Sequence, residues 1–199
     1  MPGPMVLAPR TVDHMTDLTD LSVRTMRPDE FAAMRDLSAA AFDDPTIASL
    51  LDTLRASWGW RDELSFVAEL AGELVGQVLY NPAFLDAPER IVGVLVLSPV
   101  AVRGDLQRTG IGARLITESL AVLAATRSEP LVFLEGHPSY YPRVGFRRAS
   151  GLGFTAPSVR IPDPAFMVFP LPGWDPDRHT GALVYPDAFW REDAVGLRP

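Results

Sequence analysis

The longest apolar run lies between Ile91 and Val102, where nine of twelve residues are aliphatic or alanine. Such continuity suits a strand buried on both faces, in the middle of a sheet, better than an alternating surface strand. Further on, Ile111, Leu115, Leu120 and Leu123 recur at helical spacing with Arg114 and Glu118 off the stripe, so an amphipathic helix is expected from Gly112. Ser128-Glu129-Pro130 closes it, and Leu131 to Glu135 reads as another buried strand. Strand, crossover helix and strand predict a right-handed unit with parallel neighbours.

Upstream, Leu21 to Arg27 alternates as a first strand, and Pro28, Asp29 and Glu30 have the composition of an opening helical turn. Phe31, Met34, Leu37, Ala41 and Phe42 form the stripe of a first helix, broken by Asp43-Asp44-Pro45. Ile47, Leu50, Leu51 and Leu54 carry a second helix ending near Ser57. Leu64 to Leu70 and Leu74 to Tyr80 predict a hairpin turning at Ala71-Gly72-Glu73, and Asn81 to Arg90, with two prolines, reads as a loop. Beyond Ser150 short strands and turns are expected at 153–156, 165–169 and 181–189. An edge near Leu183 to Tyr185 is free to pair between chains.

The segment from Arg103 to Ala113 joins the central strand to its helix, and Gly110 and Gly112 bracket Ile111 where the helix opens. A helix N-terminus presents unpaired N–H groups and partial positive charge, and Arg103, Arg108 and Arg114 add cationic charge against Asp105. The combination suits an anion, above all phosphate. An ordinary turn with solvated arginines is the competing reading. A Walker loop is excluded because the chain has no lysine, and a dinucleotide fingerprint lacks its third glycine, since Leu115 stands there.

Composition narrows the chemistry. The chain has 199 residues, 47% hydrophobic, enough for one domain, and no run of about 18 apolar residues that would span a membrane. With no cysteine and no lysine, thiolate, disulfide and Schiff-base chemistry are absent, and three dispersed histidines (His14, His137, His179) make a poor metal set. A net charge of −7 disfavours nucleic acid as partner. Residues 1–20, rich in proline and aspartate, read as a flexible leader and not a secretory signal, which leaves 21–199 as a single domain in the cytoplasm.

Gln107-Arg108-Thr109-Gly110-Ile111-Gly112 resembles the acetyl-CoA pyrophosphate loop of the GNAT superfamily of N-acetyltransferases, Gln/Arg-x-x-Gly-x-Gly/Ala. A second motif supports the resemblance: Tyr141 stands five residues before Phe146 of a closing Gly-Phe, and Tyr-Tyr-Pro-Arg-x-Gly-Phe is similar to the YhbS-like branch. The resemblance runs from about Leu21 to Phe189. It implies an α/β (α+β) acyl-CoA N-acyltransferase fold, with a mixed, mostly antiparallel sheet whose parallel strands four and five splay around the cofactor, flanked by helices. It also implies acetyl-CoA as cosubstrate, no metal, and attack of a primary amine on the thioester in a ternary complex. The acceptor is then a small-molecule amine or a protein N-terminus, with the protein a monomer or homodimer and no membrane partner.

By motif position, Gln107, Arg108, Thr109, Gly110, Ile111, Gly112 and Ala113 would hold the pyrophosphate. Val100, Ala101 and Val102 would bind pantetheine and polarise the thioester. Tyr141 is the expected general acid, with Tyr140 as rival one residue away, and Tyr141 would also touch the cofactor. The strand-four glutamate used as base in many relatives is replaced by Val96, leaving Glu135, His137 or ordered water. Trp58 or Trp60 would face the acceptor. The missing glutamate also keeps open a catalytically inactive acyl-CoA-binding sensor or interaction domain.

Overall fold

The computed structural model describes residues 18–196, so the expected leader lies almost wholly outside the described residues. In chain order the elements are β1 (Leu21–Thr25), α1 (Phe31–Phe42), α2 (Thr46–Arg55), β2 (Ser65–Leu70), β3 (Glu73–Asp86), β4 (Ile91–Val102), α3 (Ile111–Thr126) and β5 (Leu131–Glu135). They continue with β6 (Arg147–Arg148), β7 (Phe154–Thr155), β8 (Phe166–Pro170), β9 (Gly181–Val184) and α4 (Asp187–Arg191). The strands form one mixed sheet in the order β1-β2-β3-β4-β5-β8-β6, with β9 pairing to β3 and β7.

β4 lies between β3 and β5, and Val94, Leu95, Val96 and Leu97 are all buried, as its unbroken apolar run predicts. On one face of the sheet α3 buries Ile111, Leu115, Ile116, Leu120 and Leu123 against Phe66, Tyr80 and Leu95. Met34 of α1, Leu50, Leu51 and Leu54 of α2 and Phe189 of α4 fill a second core with Val94, Val96 and Phe133. Full burial of each such side chain contributes roughly 1.5–3 kcal/mol, so both layers are held on apolar surface.

Only Leu95↔Val132 and Val96↔Phe133 join the parallel strands β4 and β5. Beyond them β4 stays with β3 as far as Val102↔Gly76, while β5 stays with β8 as far as Glu135↔Phe166. A wedge therefore opens between the two strand ends. At its apex β4 carries a bulge: Tyr80 faces Leu97 but Val78 faces Val100, so Ser98 and Pro99 oppose the single residue Leu79. Side chains satisfy the bulge carbonyls, with Asn81 Nδ2 donating to Ser98 O at 2.7 Å and Gln77 Nε2 to Pro99 O at 3.5 Å.

Several expectations need correction. Asn81 to Arg90 is no simple loop, because β3 runs through Pro82 to Asp86. Pairing with β2 ends at Leu79, and β9 joins only at Phe84, so Pro82 sits where one side of the strand has no neighbour needing its N–H. Leu183 and Val184 pair with Leu85 and Phe84 on one side, while on the other side of β9 the strand β7 reaches only Gly181 and Ala182. Phe42 leaves the core stripe and is 48% exposed. The first strand ends at Thr25, two residues early, as the chain turns toward Pro28.

Near that turn Glu30 is the best-paired buried carboxylate. Arg24 donates to both its oxygens, at 2.8 and 2.6 Å, the Arg27 N–H donates at 2.7 Å, and the Arg27 side chain adds an ion pair. The Arg24 hydrogen bonds hold the Glu30 carboxyl well below its ordinary range, at about 2. A depressed carboxylate stabilises the fold above its unfolded pKa and loses that contribution as pH falls through the folded value. Glu30→Gln is expected to cost about 2–3 kcal/mol at pH 7, with the two proteins converging as pH drops from about 4.5 toward about 2. Urea unfolding at several pH values measures this.

Candidate active site

The wedge between β4 and β5 opens on two cavities of about 570 and 540 Å³. The first runs along Val100, Ala101 and Val102 to Gln107, Arg108, Gly110, Gly112 and Ala113, and is closed by Ala41, Phe42, Tyr140, Arg143 and Val144. The second is lined by α2 and the ends of β4 and β5, with Glu135, Gly136, His137, Tyr140 and Tyr141, and by Glu192, Ala194 and Gly196 after α4. Phe42, Val100 and Tyr140 line both. The two cavities adjoin, with those side chains as their common wall.

At the first end, Gly110 caps α3 with φ +99°, a left-handed conformation glycine adopts without strain. The N–H groups of Ile111, Gly112 and Ala113 open α3 ahead of its first intrahelical bond, from Arg114 N–H to Gly110 O at 3.0 Å. A Cβ on Gly112 would stand 2.9 Å from the Tyr140 hydroxyl, so glycine lets that phenol lie against the helix end.

Of the three arginines expected at this loop, two are committed elsewhere. Arg103 pairs with Glu73 and Asp105, both at 2.8 Å, and Arg114 with Glu118 at 2.5 Å. Arg108 does line the groove, and it is joined by Arg143; neither makes an ion pair among the described residues. Gln107 Nε2 spans from Val102 O (3.3 Å) to Ala41 O (3.4 Å), tying the loop to α1. Thr109 turns its hydroxyl back to Leu106 O at 2.6 Å, and Ile111 is buried under α3; neither side chain faces the groove.

At the second end, Tyr141 lies in the turn Tyr141–Val144, its ring edge-on to Tyr140 (5.0 Å) and Phe146 (5.8 Å). Burial pushes its phenol well above the ordinary value, so it is protonated at neutral pH. A Cβ on Gly136 would come within 2.2 Å of the Tyr141 ring. Gly136→Ala is therefore expected to lower stability by about 1–3 kcal/mol and to cut turnover by displacing Tyr141. Paired urea unfolding and rate measurements check both effects.

Glu135, the last residue of β5, accepts the Gly196 N–H at 3.1 Å on each oxygen. Burial raises its pKa, offset in part by that N–H and by the charge of Arg160. His137 is exposed, and its Nδ1 meets the Ser139 N–H at 3.3 Å and Ser139 Oγ at 2.9 Å. An Nδ1 that accepts a backbone N–H places the neutral ring's proton on Nε2, leaving no free acceptor.

Trp58 and Trp60 stay outside the cleft. Trp58 stacks on Phe84 at 5.7 Å, and Trp60 packs edge-on to Phe31 while its indole N–H donates to Asp62 at 2.7 Å. Sequence reasoning missed Phe42, Arg143 and Glu192. Arg143 had a signal inside the Tyr-Tyr-Pro-Arg motif, and Phe42 had one in its place just before the helix break, where α1 ends and Asp43 takes φ +50°.

Adjacent parallel strands that part after two paired residues, with a helix N-terminus at one mouth of the gap, belong to the acyl-CoA N-acyltransferase class of fold. Within that class the chain belongs to the GNAT acetyltransferase family, whose acetyltransferase (GNAT) domain matches residues 22–149. It is an acyltransferase of the N-acetyltransferase type. The Escherichia coli K12 protein named uncharacterized N-acetyltransferase YjhQ is 31% identical over 145 residues, 72% of this chain and 74% of that protein. Among solved structures, E. coli YhbS in complex with CoA superposes with a TM-score of 0.77 at 24% identity, covering 86% of this chain and 93% of that one. A GNAT acetyltransferase from Brucella melitensis in complex with acetyl-CoA gives 0.67 at 28% identity, covering 85% and 97%. Among the described residues no helix is long and apolar enough to cross a membrane, and no three His, Asp or Glu side chains converge as a metal site.

Proposed function

We propose that the protein transfers the acetyl group of acetyl-CoA to a primary amine by direct attack within a ternary complex. The observation that carries this reading is the pair of adjoining cavities, one at the α3 N-terminus and one at Tyr141 and Glu135, which share Phe42, Val100 and Tyr140. The pyrophosphate sits on the N–H groups from Ile111 to Ala113, flanked by Arg108 and Arg143. Pantetheine follows Val100, Ala101 and Val102, and main-chain groups at the splayed end of β4 polarise the thioester carbonyl. Each donor aimed at the developing oxyanion is worth about 3 kcal/mol.

The amine nitrogen bonds to the carbonyl carbon, the carbon–sulfur bond breaks, and the thiolate takes its proton from Tyr141. Tyr141 fits this role better than Tyr140, whose hydroxyl lies beside Gly112 at the phosphate end. Glu135 receives the proton the amine must lose. His137 is the weaker candidate because Ser139 already engages its Nδ1.

Thermal unfolding with acetyl-CoA, against NADH and ATP as controls, tests the cofactor assignment. A ligand at about one hundred times its Kd stabilises by about 2.7 kcal/mol, enough for a visible rise in Tm. A rise with acetyl-CoA alone supports the reading. A rise with NADH or ATP and none with acetyl-CoA would sink it.

A further inference from the structure

Three buried polar side chains, Ser38 of α1 and Gln77 and Asn81 of β3, gather at the bulge of β4. Asn81 Nδ2 donates to Ser98 O at 2.7 Å. Gln77 Nε2 reaches Ser38 Oγ at 3.0 Å and Pro99 O at 3.5 Å, and the Ser38 hydroxyl donates in turn to Met34 O at 2.8 Å. Asn81 is 5% exposed and Gln77 1%, on the face of β3 where Leu79, Ala83 and Leu85 join the core under α1 and α2.

An amide placed in such a core costs free energy unless it satisfies another polar group. Here the groups satisfied are the two carbonyls at which β4 leaves its regular register with β3. That place matters for the site. β4 and β5 are last paired at Val96 and Phe133, and Ser98, Pro99 and Val100 follow at once as lining of the cavity that contains Tyr141 and Glu135. A bulge one residue earlier or later would turn the groups of Val100 to Val102 to the opposite side. Bonds from two anchored amides to two particular carbonyls select one register.

We infer that Asn81, supported by Gln77, is a positioning residue for acetyl transfer: by holding the bulge it aims the main-chain groups of β4 at the thioester carbonyl. The inference rests on the acetyltransferase reading. Neither amide lines either cavity, so the effect passes through the Ser98 and Pro99 carbonyls. Donors polarise a carbonyl well only when fixed in direction beforehand, which is what the clamp supplies.

The test is infrared difference spectroscopy of acetyl-CoA labelled with carbon-13 at the thioester carbonyl and bound to the full chain, which needs no acceptor. Binding to wild type should move the carbonyl stretch to lower wavenumber than in water. Asn81→Leu has nearly the same shape and no donor; it should still bind acetyl-CoA, because the α3 N-terminus is untouched, but lose most of that shift. Gln77→Leu should lose a smaller part, its bond to Pro99 O being the longer one, and it carries the test alone if Asn81→Leu does not fold. Ser119→Ala is the control for mere loss of stability. It removes a buried hydrogen bond of 2.7 Å to Tyr80 under α3, and should lower the thermal midpoint while keeping the full shift. An unshifted band in wild type, a full shift in the Asn81 and Gln77 variants, or an equal loss in Ser119→Ala would each overturn the inference. Binding is scored separately: acetyl-CoA that binds wild type and variants with the same shift removes only the positioning role, whereas failure to bind wild type removes the acetyltransferase reading itself.

Discussion

Tyr141→Phe is expected to lower kcat for acetyl transfer by about 100-fold or more while leaving acetyl-CoA affinity and stability nearly unchanged. The magnitude follows from losing a positioned proton donor, which supplies roughly 10²–10⁴ in rate. Affinity should survive because the phenylalanine ring keeps the contacts with Tyr140 and Phe146 and still packs over Gly136. Stability should survive because the Tyr141 hydroxyl has no hydrogen-bond partner among the described residues. Tyr140→Phe removes a hydroxyl at the phosphate end and should retain most of kcat. Steady-state kinetics on both variants read the contrast, and a loss below about threefold in Tyr141→Phe would show that the phenol is not the donor.

Glu135→Gln carries the second large effect, about a 100-fold fall in kcat/KM at neutral pH, together with a change in pH dependence. Glu135 must be ionised to accept a proton, and burial raises its pKa above the ordinary 4.5. The acceptor amine, with a pKa of about 10, imposes a unit slope on log kcat/KM throughout the range below it. Wild type should add a further unit slope below the Glu135 pKa, and the variant should lack it. The stability sign is opposite to that of Glu30. A raised carboxyl pKa means the fold disfavours the charge, so this stabilising contribution is present at low pH and lost as pH rises through the folded value. Replacing Glu135 with neutral glutamine therefore should not unfold the protein at pH 7, and a rate loss there reports chemistry. An unchanged pH profile would transfer the base role to water.

Much of the scaffold was legible because the central unit is locally encoded. The unbroken apolar run of β4, the helical stripe of α3 and the aliphatic β5 each report their surroundings through periodicity. The two prolines after Tyr80 misled for a local reason: a missing N–H argues against a strand only where a neighbour needs it, and that depends on where β2 ends. Ion pairing was equally out of reach. Nothing near Arg103 in sequence shows that Glu73 will meet it, and Glu192 reaches Ser49 across 143 residues. The proposed cofactor end of the site was readable because it lies on one loop and one helix end. The cavity proposed for the acceptor is assembled from α1, α2, the ends of β4 and β5, and the chain after α4, so no sequence spacing announces it. The register between Tyr140 and Tyr141 had a motif behind it, and the structure adds a physical contrast, with one hydroxyl beside Gly112 and the other ring buried over Gly136.

The account stands or falls on thiol release. The chain contains no cysteine, so a thiol reagent mixed with protein, acetyl-CoA and a panel of primary amines reports CoA alone. The account predicts free CoA in one-to-one proportion with acetylated amine identified by mass spectrometry, abolished without amine and strongly reduced in Tyr141→Phe. Acetyl-CoA that binds but yields no acetylated product with mono-, di- or polyamines, amino acids or peptide N-termini would contradict it.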